Sequence, residues 1–174
     1  MSVVINGSAG VTTNSGAVYN GISAGTAVAS TSGTSIDFTS IPSWVKRITV
    51  MLQGVSTNGT SNPIVQIGTG GTPTTSGYTG AGGLIGVGTV SYTAGFGFDS
   101  ASAVNIIIST LTITQVSGNL WQASYAGTLN QSGTNYPIVG SGYVTLSGTL
   151  NMVRVTTING TDTFDAGSIN ILYE

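Results

Sequence analysis

The stretch "VNIIISTLTITQVSGNLWQASY", residues 104–125, decides how this chain folds. Leu111, Ile113 and Val116 are interleaved with Thr112, Thr114 and Gln115, the near period-two pattern of a strand with one dry face and one wet face. The segment Asn105–Ser109 just before it carries Ile106, Ile107 and Ile108, apolar on both faces. Such a segment belongs in the middle of a sheet or at a subunit contact. The pattern breaks at Ser117-Gly118-Asn119, a Gly-Asn turn, and resumes at Leu120. Two antiparallel strands joined by a hairpin turn are therefore expected. Trp121 and Tyr125 stand at i and i+4 of the second strand, share a face, and are expected to face the core.

The same signals recur along the chain. β-branched runs punctuated by Gly, Asn and Ser predict strands near 3–6, 27–30, 35–38, 46–55, 64–68, 84–88, 103–116, 120–125, 143–157 and 167–173. No stretch has the i, i+3, i+4, i+7 apolar spacing of a capped helix. "STSGTS" (30–35) predicts a hairpin joining Ala27–Ser30 to Ser35–Phe38, with Gly33 at φ > 0. In "MVRVTTI" the alternation sets Val153, Val155 and Thr157 opposite Met152, Arg154 and Thr156. Ser-Gly-Thr occurs three times and Asn-Gly-Ser/Thr three times, at irregular spacing. These are turn punctuation, not a repeat. Residues 68–83, "GTGGTPTTSGYTGAGG", read as a long Gly/Thr loop carrying Tyr78. Residues 1–25, rich in small polar side chains, read as an extended N-terminal arm or linker. Residues 26–174 then form one all-β domain, an antiparallel β-sandwich of jelly-roll type.

Composition narrows the chemistry. Charged residues are 5% of the 174, the net charge is −2, and there are 27 glycines. Soluble domains average about 25% charged residues. A Ser/Thr/Asn/Gly surface with so little charge suits a protein packed into an assembly or projected from one. With no cysteine and no histidine, disulfides, thiolate nucleophiles and the commonest general base and metal ligand are all absent. Three basic residues are too few for a phosphate-tracking nucleic-acid surface. No apolar run is long enough for a membrane-spanning helix, and "MSVVINGSAG" lacks the features of a signal peptide. "GTGGTPTTSG" lacks the lysine of a phosphate loop. No cofactor and no metal are expected, and an enzyme is not.

Two groups of residues remain as candidates. Asp162 and Asp165 in "GTDTFDAGS" could serve a weak Ca²⁺ site or a glycosidic carboxylate pair. The alternative is a turn whose Asx side chains bind the local backbone, which is favoured because no third carboxylate is near in sequence. Aromatic residues in or near loops, Tyr78, Tyr92 and Tyr136 foremost, are candidates for stacking on sugar rings or contacting a partner.

The segments Ser35–Phe38, Ile41-Pro42, Val45–Val50, Val55–Ser61 and "FDAGSINILYE" (164–174) resemble a domain of tailed-bacteriophage virion proteins, chiefly tail fibres. The resembling segments bracket residues 26–174. The resemblance implies a non-enzymatic, all-β structural module, a homotrimer, located on the particle surface at the tail or the capsid exterior. It implies other virion proteins as partners, possible contact with host surface glycan, and neither nucleic acid nor membrane insertion. Two roles follow: a tail fibre or adhesin module in host attachment, or a capsid decoration protein anchored by its arm. At the corner Ile41-Pro42-Ser43-Trp44, the basic pair Lys46-Arg47 is expected to set register or to pair with Asp162 or Asp165 of a neighbouring strand or subunit.

Overall fold

The computed structural model describes residues 21–174 and, before them, the backbone of three short strands. These are β1 (Val4–Asn6), β2 (Gly10–Thr12) and β3 (Val18–Tyr19), an antiparallel meander. Of the arm expected over 1–25, residues 21–25 are described and Ser23–Ala24 pairs with Leu172 and Tyr173 as part of the domain's sheet; apart from the three strands, residues 1–20 fall outside the described residues. Every regular element described is a strand: β4 (Ser23–Ala24), β5 (Val28–Ala29), β6 (Ser35–Phe38), β7 (Arg47–Thr57), β8 (Pro63–Thr69), β9 (Thr72–Pro73), β10 (Thr79–Leu84), β11 (Gly88–Tyr92), β12 (Phe96–Gly97), β13 (Asn105–Ser117), β14 (Leu120–Gln131), β15 (Thr134–Thr145), β16 (Leu150–Thr157) and β17 (Phe164–Tyr173).

Two antiparallel sheets form a sandwich. The larger runs β11-β10-β15-β14-β13-β7-β17, with β4 and β5 following one another along the outer edge of β17. The smaller runs β12-β8-β16-β6, with β9 sharing the β12 edge of β8. The central stretch behaves as its pattern dictates. β13 and β14 pair as a hairpin through Gly118 (φ 52°), and β13 lies mid-sheet between β14 and β7. Leu111, Ile113, Trp121 and Tyr125 face inward and are buried, as are Ile48, Val50 and Leu52 of β7. Val65, Ile67, Val153, Val155, Ile36 and Phe38 answer from the smaller sheet. Each such side chain contributes about 1.5–3 kcal/mol by leaving water. Val116 does not join them. The β13–β14 register shifts between Gln115 and Ser117, and the side chain is left 55% exposed.

Four local readings are corrected by long-range pairing. Val28–Ala29 and Ser35–Phe38 do not form a hairpin; the first strand joins β17 of the large sheet and the second joins β16 of the small one. Gly33 still has φ 78°, where the chain crosses between sheets. The segment 84–88 is the turn of the β10–β11 hairpin, with Ile85 and Val87 in solvent. The segment 143–157 is two strands, β15 and β16, separated at residues 146–149. Part of the Gly/Thr loop is strand β10. Its glycines are why it can be: Tyr125, Gly140 and Gly82 are consecutive partners across β14, β15 and β10, and a Cβ on either glycine would overlap the Tyr125 ring. An aromatic ring laid over glycines in neighbouring strands supplies the packing that glycine lacks.

Candidate functional site

The outward row of the smaller sheet brings together the side chains best arranged for recognition. Asp37 of β6, Arg154 of β16 and Gln66 of β8 are consecutive cross-strand partners, and Ser35 and Thr156 form the next row. Arg154 and Thr156 share this face because Val153 and Val155 occupy the core side of β16. The Arg154 guanidinium grips the Asp37 carboxylate with two parallel bonds, Nε to Oδ1 at 2.7 Å and Nη2 to Oδ2 at 2.6 Å. The hydrogen bond to Asp37 holds the guanidinium pKa above its ordinary value. The pair is about one-third exposed and carries no net charge.

A groove of about 280 Å³ runs beside this pair, walled also by Thr75 and the Asn159-Gly160 turn. Two of its polar side chains are buried and tied down. Gln66 Nε2 donates to the Ala94 carbonyl at 2.9 Å, and Thr156 Oγ1 donates to the Thr34 carbonyl at 2.7 Å. The remaining Gln66 carbonyl lone pairs, the unused guanidinium N–H groups and the hydroxyls of Ser35 and Thr75 give the groove both donors and acceptors. Such a groove is suited to hold a neutral, hydroxyl-bearing group, since the arginine charge is already balanced.

The aromatic candidates lie elsewhere. Tyr78 and Tyr92, expected at the surface, are buried. β9 pairs with β8 at Gly68 and Thr69, and β12 pairs at Ile64 and Val65, leaving Ile67 between them with a backbone partner for its carbonyl alone, Thr74 N at 3.0 Å. The Tyr78 hydroxyl fills the gap, accepting from Ile67 N at 2.9 Å and donating to Ile67 O at 3.3 Å. Burial drives its pKa upward. The Tyr92 hydroxyl accepts from Asn62 Nδ2 at 3.1 Å, and its ring lies where a Gly97 Cβ would be. Tyr136 is half-buried on β15, opposite Leu129. The side chain that is open is Tyr143, 50% exposed on the outer face of the large sheet. Nothing in its local sequence separates it from Tyr136; the strand register does.

The basic pair has a partner other than the one expected. Arg47 forms an ion pair with Glu174, and the backbone N–H groups of Lys46 and Arg47 both donate to the Glu174 carbonyl. Trp44 packs against Tyr173 with ring centroids 5.9 Å apart. This corner therefore clamps the last residues of β17 to the head of β7. Asp162 is engaged in its own turn, accepting from Ser61 N at 2.9 Å and from Asn159 Nδ2 at 2.6 Å. These two bonds, the Asn159 one foremost, hold its pKa below the usual carboxylate range. Asp165 is exposed on β17. The Asx-turn reading of this segment is the one the geometry supports. Among the described residues, no group of three or more His, Cys, Asp or Glu could hold a metal ion, and no helix is long and apolar enough to cross a membrane.

No protein-family model, no curated protein and no solved structure matches the chain.

Proposed function

We propose that the protein is a non-enzymatic virion module of a tailed bacteriophage, a tail-fibre or adhesin domain that contacts the host surface. Its partners are other virion proteins, further copies of itself and a neutral host glycan. The observation that carries the binding role is the groove beside Asp37–Arg154, with buried, pre-oriented Gln66 and Thr156 and a balanced charge. Planar polar groups fixed before binding lower the ordering cost that a hydroxyl-rich ligand otherwise imposes. The segments that resemble tail-fibre domains, and a chain without histidine or cysteine, support attachment over catalysis.

Immunogold labelling of intact particles with antibody to this chain tests the placement. Gold on the tail is expected. Gold over the head would replace the adhesin with a capsid decoration protein, and particles without gold would remove the virion assignment. Binding is tested on an array of neutral bacterial-surface glycans. Thr75→Trp, which fills the groove from an exposed position, should abolish the signal while leaving the circular dichroism spectrum unchanged. Equal signal from wild type and variant would exclude the groove.

A further inference from the structure

The outer face of the large sheet is broad and nearly free of charge. Residues there form continuous cross-strand rows. One runs Asn170, Met51, Thr110, Ala126, Val139 across β17, β7, β13, β14 and β15, and its neighbour runs Leu172, Thr49, Thr112, Ser124, Ser141 and on to Ala81 of β10. Ile106, Ile108, Val139 and Tyr143 stand out of this face, each between 37% and 50% exposed. Among the described strands of this face, charge enters at two places near its margin: Arg47, which stands opposite Thr114 and is neutralised by Glu174, and the exposed Asp165 of β17. At the centre, around Gly127 and Ser109, the face dips into a shallow hollow of about 470 Å³. Among the described residues nothing covers it.

We propose that this face is where a second copy of the chain docks. Six strands at about 4.8 Å spacing, most of some ten residues at about 3.4 Å each, present roughly 800 Å². That matches the roughly 800 Å² each partner contributes to a stable protein–protein interface. Exposed apolar side chains gathered on one face, here Ile106, Ile108, Val139 and Tyr143, mark a surface that contacts another protein. The charge argument selects the same partner. A copy of this face meets it without like-charge repulsion, whereas a charged partner would lose its solvation against a surface that has no counter-charge to offer. Sheet faces of small side chains pack at the ~10 Å separation of a sandwich, which closes these rows against those of the second copy. The proposal rests on the homo-oligomer part of the reading above and is independent of where on the particle the chain sits.

The test is the solution mass of the purified full chain by light scattering at roughly 5 and 100 µM, spanning common micromolar association constants. Two or more times the chain mass of 17.4 kDa is expected at the higher concentration. Thr110→Lys and Ser124→Lys, each placing one charge in the central rows, should shift the mass to that of one chain. Thr161→Lys, on a distant turn, should leave it unchanged. A wild-type mass of one chain throughout overturns the proposal, as do lysine variants that keep the wild-type mass. Because the chain has no cysteine, Thr110→Cys gives a readout that does not depend on tolerating a charge. Its maleimide labelling should slow by about two- to fourfold on going from 5 to 100 µM, as the free-chain fraction falls by mass action. Unslowed labelling of an oligomeric sample overturns the proposal equally, and it does so whatever the immunogold result.

Discussion

Tyr78 and Tyr125 are both buried, yet their hydroxyls are in opposite situations. The Tyr78 hydroxyl closes the gap on the edge of β8, while the Tyr125 hydroxyl has no hydrogen-bond partner. Tyr78→Phe should therefore lower unfolding free energy by about 1–2 kcal/mol, because Ile67 N is left buried and unpaired. Tyr125→Phe should be neutral or slightly stabilising, and urea denaturation of the two variants separates the cases. Gly140→Ala should cost about 1–3 kcal/mol by driving a methyl into the Tyr125 ring. In a Tyr125→Ala background the same change should cost less, since the two sites share one volume. Two carboxylates respond to pH in opposite directions. Asp162 is held below its ordinary pKa, so its contribution is present above about pH 4 and is lost as pH falls through its folded value. Asp99 is raised by burial, so ionising it costs stability as pH climbs from about 4 through its folded value. In melts from pH 2.5 to 7, Asp162→Asn should lower the midpoint at pH 7 and converge with wild type in acid. Asp99→Asn should raise the midpoint at pH 7 and do nothing at pH 2.5.

At the scale of elements, the chain binds its loops to one another across the sandwich. The β7–β8 turn and the β16–β17 turn each contain Asn-Gly-Thr and are stitched together. Asn58 N and Oδ1 meet Thr163 O and N, Ser61 N meets Asp162, and Asn159 N donates to Ser61 Oγ at 3.0 Å. Asn159 Oδ1 also accepts from Thr161 N, Asp162 N and the Thr157 hydroxyl. Asn159→Ala should cost about 1–2 kcal/mol. Combined with Ser61→Ala it should cost less than the sum of the two, a coupling that a double-mutant cycle in urea measures directly. Local pattern made β13, β14 and their turn legible, because one buried face imposes alternation that no other element produces. It failed where the partner supplied the reason for the strand. β10 is half glycine and reads as a loop until Tyr125 is placed over it. The 27–38 segment has the residues of a hairpin, but β17 and β16 take its two strands, one into each sheet.

For the whole molecule, scarcity of charge sets the expected response to solvent. The ion pairs Arg47–Glu174 and Asp37–Arg154 are substantially exposed, so each is worth at most about 1 kcal/mol. Raising NaCl from 50 to 500 mM should move the melting midpoint by no more than about 2 °C, because little of the stability is screened Coulomb energy. A larger fall would show that these pairs carry more of the fold than the apolar core does. Assembly through the outer face of the large sheet should likewise persist in salt, being built on area without charge.

By itself the sequence determined the all-β class and, in the β13–β14 hairpin, the inward faces and the turn, since alternation and positive-φ glycines are local properties. It also excluded whole chemistries by lacking histidine and cysteine. Only the tertiary structure decided which strands are neighbours, and with that which side chains meet. Asp37, Arg154 and Gln66 lie far apart in sequence and become one row only through the β6–β16–β8 register. Tyr78 reads as a free ring in a glycine loop and is buried because one buried backbone amide needs its hydroxyl. Pairing between distant strands is set by the summed burial of whole faces, and no window of neighbouring residues contains that sum.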